Sequence, residues 1–471
     1  MQEKSNKMTV FSCITMSIGA IIGAGLFSSL PMGIDMVDPK VGWALIAGAI
    51  FICMKTIPSL YMQSAIPISA GGYVYMSRFI HPSVAFVQSL NSCVGMLNIA
   101  VMSMTFASYF CQLFPNADLD ARYVAAGCAI IFTVIATFGA RFTGNVQNIM
   151  VGILIVALGV YIFFGIGSVP HGEVLADYLA PTADFVTLWG AVAILNYALQ
   201  GGAVIASFAD EVENPGFTIP ASFFIGTGVV TLIYAVIGYV TYGLGPIPGQ
   251  EGMAAYNLGT IASQFLSPLL VKFFIVCGAL FATVTTLQSS LMIYSRMWYV
   301  SAKDGIWPKI FTKTNKYNVP WFALWFSTGC AVLAILLGIQ LSDVLRIVSI
   351  PGMLLGILFY YPAMVFMKRY PNAAKRSFLR VPTWLQIALC VFSMGISFYM
   401  GLTLLKSLNP SLAISMVIFY IVGYGYYFIR VSYMKKQGVD IIARGKVEPA
   451  SWVERNKPLT AEEEAKLVKS K

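Results

Sequence analysis

Two glycine-rich stretches interrupt otherwise apolar segments of this chain: Ile22-Gly23-Ala24-Gly25 inside residues 9–30, and Leu199-Gln200-Gly201-Gly202 inside residues 184–210. In hydrocarbon, backbone without hydrogen-bond partners is tolerated only where it is buried in protein or lines a cavity, so both breaks should face a solute. Amides freed at Gly23, Ala24 and Gly25 lie near the start of a second half-helix, where unsatisfied donors and the helix dipole favour a carboxylate. Glycine permits close approach and unusual dihedrals there. The competing reading is that these glycines merely let helices pack closely, as small residues do in membranes.

The elements that hold such breaks follow from composition. Of 471 residues, 58% are hydrophobic and 11% charged, with a mean hydropathy of +0.76, values that water-soluble domains do not reach. Runs of about 20 apolar residues, enough to cross the hydrocarbon as a helix, occur at 9–30, 42–63, 83–113, 122–141, 146–168, 184–210, 219–244, 267–300, 320–340, 343–367, 384–407 and 411–432. The expected fold is therefore an all-α integral membrane protein of twelve transmembrane helices. The first run follows Lys4 and Lys7, as a secretory signal would, but its length, internal glycines and missing small-x-small cleavage pattern mark a mature helix.

With both termini cytoplasmic, 24 of the 30 Lys and Arg fall on the inner side, leaving Lys40, Arg122, Lys272 and Lys406 outside, Arg346 near an outer helix end and Lys55 within a span. This obeys the positive-inside rule. The compact loops suit a multi-pass protein of a cell (inner) membrane. The net charge of +10 is spread over short loops and the tail, so lipid headgroups account for it and nucleic acid is not expected as a partner. The eight cysteines lie in or at the edges of spans without metal-ligand spacing, and His81 and His171 fall in loops, so no metal site is expected. After Met434 the chain turns polar and reads as a solvated cytoplasmic tail, with Thr460-Ala-Glu-Glu463 able to cap a short helix.

If spans one to five and six to ten are structural repeats, each break falls in the first helix of its copy, and an odd number of spans per copy inverts one against the other. The chain then divides into a cytoplasmic N-terminus (1–8), a first five-helix repeat (9–168), a second, inverted one (184–367), two peripheral helices (384–432) and a cytoplasmic tail (433–471). This 5+5 inverted repeat has broken helices 1 and 6 at its centre.

Five motifs then stand in order: Ser17-Ile-Gly-Ala-Ile-Ile-Gly-Ala-Gly-Leu-Phe27; Ala65-Ile-Pro-Ile-Ser-Ala-Gly-Gly-Tyr73; Ala209-Asp-Glu-Val-Glu-Asn-Pro215 leading to Pro220; Ser295-Arg296 with Ala302-Lys-Asp-Gly-Ile-Trp-Pro308; and Pro371 with Arg380-Val-Pro382. Together they cover about the first 380 residues, and in this order the chain resembles the amino acid permeases of the amino acid–polyamine–organocation superfamily. The resemblance implies a transporter rather than an enzyme, with an amino acid bound at the breaks. Its ammonium would meet carbonyls near Ile21, Ala198 and Leu199, opposite the amides of Gly23, Ala24 and Gly25, with Ile22 at the first break and Gly201 at the second. Tyr197 aligns with the aromatic gate that closes over substrate, though a core or interfacial tyrosine is the alternative.

Selectivity follows less directly. Gln200 places an amide at the second break, either for substrate or to satisfy broken backbone, and Ala203 stands where several relatives carry a carboxylate. Asn98, with Asn91, Ser92 and Ser103, makes span three polar, while Ser289 and Ser290 occupy the pocket-lining stretch of span eight. No Asp or Glu lies deep in a span, and an unpaired cation at midplane is costly, so neutral zwitterionic amino acids are favoured. A cationic amino acid, a polyamine or another small organic amine stays open, as does exchange instead of symport. A receptor that kept the fold without transport is the different-class alternative.

No cofactor is expected beyond a coupling sodium ion or proton. The resemblance implies a sodium site from carbonyls of Gly19, Ile22 and Ala282 with the hydroxyls of Thr285 and Thr286, although such threonines often bond back to their own helix. The lysine that some proton-coupled relatives carry on span five is missing. Lys55, within span two, is a candidate proton switch or counter-charge, with snorkelling to an interface as the alternative. No obligatory partner subunit is implied, since no cysteine lies in an outer loop.

Overall fold

A computed structural model describes residues 7–114, 119–180, 185–339, 341–406 and 408–460. The chain runs through α1 (Val10–Ile21), α2 (Ala24–Val37), α3 (Val41–Ala65), α4 (Gly71–Phe79), α5 (Pro82–Gly95), α6 (Asn98–Leu113), α7 (Ala121–Ala136), α8 (Ala140–Ser168), α9 (His171–Leu179), α10 (Phe185–Leu199) and a 3-10 segment Gly202–Glu211. It continues through α11 (Pro215–Leu244), α12 (Leu258–Ala262), α13 (Pro268–Phe273), π turns over Phe274–Leu280, α14 (Phe281–Lys303), α15 (Trp321–Leu336), α16 (Leu341–Leu354) and α17 (Tyr360–Arg369). Last come α18 (Pro371–Arg376), α19 (Thr383–Lys406), α20 (Pro410–Lys436), α21 (Ile441–Lys446) and α22 (Ala450–Arg455).

The chain is an all-helical membrane protein. Among the described residues, eight helices are long and apolar enough to cross a bilayer, and the bent pair Arg346–Leu354 and Gly356–Arg369 makes a ninth. Shorter apolar helices at Ala121–Ala136, Thr187–Asn196 and Trp321–Leu336 lie where the remaining spans are expected. Local chemistry sets several ends. Thr9 caps α1 by accepting from the Ser12 amide at 3.3 Å, and Asp120 caps α7 through the Arg122 amide at 2.9 Å. The seventh span begins at Pro215, four residues before the apolar run suggests, because Asn214 turns the chain at φ 44° and proline suits the first helical position.

Two expectations change. The stretch after the second break was expected as helix to residue 210, but Gly202–Glu211 winds as a 3-10 helix. The Ser17 hydroxyl donates to the Gly202 carbonyl at 2.9 Å, which ties the start of that segment to α1. The tail is not simply solvated either. Trp452 is wholly buried, stacked on Tyr75 with centroids 5.3 Å apart and edge-on to Tyr370 at 5.8 Å. Arg455 donates to the carbonyls of Ser64 and Ala65, each at 3.2 Å, which are among the last of α3 and lack intrahelical donors. Residues 461–463 of the expected Thr460–Glu463 cap lie outside the described residues. His171, expected in a loop, opens α9.

Helix α11 packs on α3 and α1, and α10 packs on α2 and α3. These contacts bring the breaks of the first and sixth spans together in the middle of the bundle.

Candidate solute site

The first break is short. α1 ends at Ile21 and α2 resumes at Ala24, leaving Ile22 and Gly23 as the only non-helical residues. The second is sharper, because Gly201 holds φ +115°, a left-handed conformation that glycine alone adopts without strain. A Cβ on Gly201 would stand 2.4 Å from the Ala20 carbonyl oxygen, and one on Gly25 would stand 2.6 Å from the Ala198 Cα. Main chain therefore meets main chain at the crossing, and the missing side chains of Gly25 and Gly201 are what permit it. A Cβ on Gly23 would lie 2.3 Å from the Thr286 hydroxyl, so the first break also rests on α14.

The hydrogen bonds refine the expectation of freed groups. The Gly23 amide donates to the Ile21 carbonyl at 2.9 Å, and the Tyr234 hydroxyl donates to the same carbonyl at 3.2 Å. That amide and that carbonyl, both expected to be open to a solute, are thus engaged within the protein in this conformation. The reason is local: a two-residue break lets the chain fold its own donor back two positions. Ile22 is fully buried and its amide reaches the Ile18 carbonyl at 2.8 Å. Ala24 and Gly25 occupy the first turn of α2, where an α-helix offers no intrahelical acceptor for the amides. Gly201 is exposed at the crossing while Ala198 and Leu199 are buried. Gln200 spends its amide on the Asn196 side chain at 2.8 Å rather than on broken backbone. The Tyr197 side chain lies outside the described residues.

Span eight brings its polar residues to the same place. Asn98 Nδ2 donates to Ser290 Oγ at 3.0 Å, joining α6 to α14. The Thr285 hydroxyl reaches the Gly19 carbonyl at 2.9 Å and the Ala282 carbonyl at 3.0 Å, and Thr286 reaches the same two at 3.2 and 3.3 Å. Four of the five expected ion-site residues, Gly19, Ala282, Thr285 and Thr286, therefore converge. Sequence reasoning missed Gln147 of α8, which stands beside them. Its amide donates to Ser289 at 3.2 Å, it would contact a Cβ on Gly19 at 3.1 Å, and its carbonyl oxygen is buried without a partner. The available signal was an amide side chain at the start of an apolar span, next to Asn148. Lys55 is half-buried in α3, with no carboxylate at ion-pair distance among the described residues.

Two ion pairs stand at one end of the bundle. Arg78 pairs with Asp304 at 2.9 Å, both largely buried, and Tyr73 donates to the same carboxylate at 2.8 Å. Burial, then the Asp304 charge, pushes the Tyr73 phenol well up, which keeps it a donor. Arg296 pairs with Glu211 at 2.6 Å, tying α14 to the end of the 3-10 segment, while the amide of Met8 bonds to the Glu211 carbonyl at 2.8 Å. Asp304, Arg296 and Glu211 belong to the quoted motifs and Arg78 follows one of them, but spacing alone does not show which acid meets which base.

The amino acid permease family model matches residues 12–441. The chain belongs to the amino acid permease family. This permease is 26% identical over 66% of its length to an uncharacterised protein of Methanocaldococcus jannaschii, covering 72% of that protein. It is 23% identical over 83% of its length to the branched-chain amino acid permease BcaP of Bacillus subtilis, covering 88% of it. Against the lysine-specific permease LysP of Lactococcus lactis the identity is 24% over 69% of the permease and 67% of the relative. It is an amino acid transport protein and not an enzyme.

Proposed function

We propose that the permease carries neutral zwitterionic amino acids across the cell (inner) membrane by alternating access, with both termini cytoplasmic. The crossing of the two breaks carries this reading. It offers main-chain donors at the first turn of α2 and main-chain acceptors at the end of α10, with no Asp or Glu within two turns of either break. A substrate with a charged side chain would have no carboxylate to meet there. Ala24 and Gly25 would take the carboxylate, and the carbonyls near Ala198 and Leu199 the ammonium. Binding that also draws on Gly23 and Ile21 must open their mutual bond, which gives the ligand a means to favour one conformation over another.

In this reading the helices of spans one, two, six and seven rock against those of spans three, four, eight and nine, and Tyr197 closes over the substrate. The Arg78–Asp304 and Arg296–Glu211 pairs hold the cytoplasmic side shut and must part for release there. Coupling to sodium is supported by the hard oxygen donors of Gly19, Ala282, Thr285 and Thr286, chemistry suited to an alkali cation; Lys55 is the proton-linked alternative. Uptake of labelled alanine, serine and leucine into proteoliposomes, under imposed sodium, proton or internal-substrate gradients, tests all of this. Saturable uptake of a neutral amino acid that lysine and cadaverine fail to compete supports the reading; uptake of lysine alone refutes it.

A further inference from the structure

The tail after α20 touches parts of the chain that the proposed rocking motion would separate. Helix α21 packs on α4 and α5. The Gly445 carbonyl accepts from the Ser77 hydroxyl at 2.6 Å, and a Cβ on Gly445 would stand 2.7 Å from the ring of Pro82, the first residue of α5 in span three. Ile441 is 1% exposed and lies against Gly305, just past span eight, where an added Cβ would meet it at 3.4 Å. Spans three and eight belong to one of the two groups that rock.

Ten residues after Gly445 the tail reaches the other group. Arg455 donates to the carbonyls of Ser64 and Ala65, at the end of α3 in span two, and lies 3.3 Å from where a Cβ on Gly216 would stand, in the first turn of α11 in span seven. Between these two footholds Trp452 is wholly buried, against Tyr75 and Phe79 of α4 and Tyr370 after α17. A ring enclosed in this way makes the tail a fixed bridge and not a loose tether. Arg78, which pairs with Asp304, also donates to the Val447 carbonyl at 3.1 Å, so the tail braces one of the two ion pairs. Contacts that exist only while the two groups stand together favour that arrangement over any in which they part.

We propose that residues 441–455 are a latch: docked across the ends of spans two, three, seven and eight, the tail favours the conformation closed on its own side of the membrane, and release of Arg455 from span two lets that side open. The latch rests on the alternating-access reading. Its weakest link is the Arg455 end, because the carbonyls of Ser64 and Ala65 lie in the last turn of α3 and bond to water once the guanidinium leaves, whereas Trp452 has no comparable substitute for its ring contacts.

The test uses the full chain carrying Ser207→Cys in sealed vesicles, with a membrane-impermeant thiol reagent added on the side where the tail is accessible and the labelling of the chain without the added cysteine subtracted. Arg455→Gln should label about 10-fold faster, as the loss of two hydrogen bonds to a charged group implies, and Trp452→Ala should also label faster. Arg455→Lys should keep most of the slow rate, since an ammonium still donates to both carbonyls. Arg296→Ala serves as the reference for opening itself. If Arg296→Ala speeds labelling while Arg455→Gln and Trp452→Ala leave it unchanged, the latch is overturned and alternating access stands; if none of the three changes it, both fall. Equal acceleration by Arg455→Gln and Arg455→Lys also overturns the latch, because the bonds to span two are then not what holds it. If Trp452→Ala does not fold, Arg455→Gln against Arg455→Lys decides.

Discussion

Replacing Gly201 by alanine adds one methyl group at the point where the two broken helices cross. Its φ of +115° lies where an L-residue costs about 1–2 kcal/mol. The new Cβ would also sit 2.4 Å from the Ala20 carbonyl oxygen and 2.8 Å from its carbon. Those are backbone atoms and cannot rotate away, so the strain adds about 1–3 kcal/mol, typical of an overpacked interior. The sum is roughly 2–5 kcal/mol, enough to lower the unfolding midpoint by on the order of 5 °C in a chain of this size. Gly152→Ala is the control: it sits inside α8 with open space around it, and alanine in a helix interior is favoured over glycine by about 0.5–1 kcal/mol. Fluorescence-detected unfolding in detergent, paired with uptake assays on the same preparations, gives both readouts. Gly201→Ala should destabilise and abolish transport while Gly152→Ala does neither. Equal stability and full transport in Gly201→Ala would refute the claim that backbone meets backbone at the crossing.

Other residues offer independent checks. Thr285→Val keeps the side-chain shape but removes the hydroxyl shared by the Gly19 and Ala282 carbonyls; a loss of about 1 kcal/mol is expected, together with loss of any sodium-dependent stabilisation, measured by thermal unfolding with sodium or choline chloride. Arg296→Ala leaves Glu211 without its partner at 2.6 Å. Glu211 is partly exposed, so the cost should stay below the 3–5 kcal/mol of a fully buried pair, and a cysteine placed at Ser207 should label faster with a membrane-impermeant thiol reagent from the cytoplasmic side. Trp452→Ala removes the ring that Tyr75 and Tyr370 enclose, a change worth about 3–5 kcal/mol in a packed core. Because the tail is a local unit, the effect should appear as faster proteolysis near residues 440–460 and not as loss of the transmembrane bundle.

The spans and both breaks were legible in the sequence because the bilayer imposes a simple rule: twenty apolar residues cross it, and an interruption must be explained. The proximity of Thr285 and Thr286 to the Gly19 carbonyl came from the resemblance to sodium-coupled relatives and not from any pattern in the residues themselves. Most of what escaped depends on a partner far away in the chain. The burial of Trp452 depends on rings nearly 400 and about 80 residues earlier, whereas the bond between Gly23 and Ile21 is a local matter of how tightly the break turns. Gln147 carried a signal, an amide in an apolar span, but its role depends on Gly19 and Ser289 standing opposite.

The account rests on main chain at the crossing gripping both ends of an amino acid, and equilibrium binding of leucine against leucine amide and N-acetyl-leucine tests that most directly. The amide lacks the carboxylate and the acetylated form lacks the ammonium, so each should bind about 10- to 100-fold more weakly, the value of one charge-assisted hydrogen bond. Comparable affinity for all three would mean that the broken helices do not read the zwitterion.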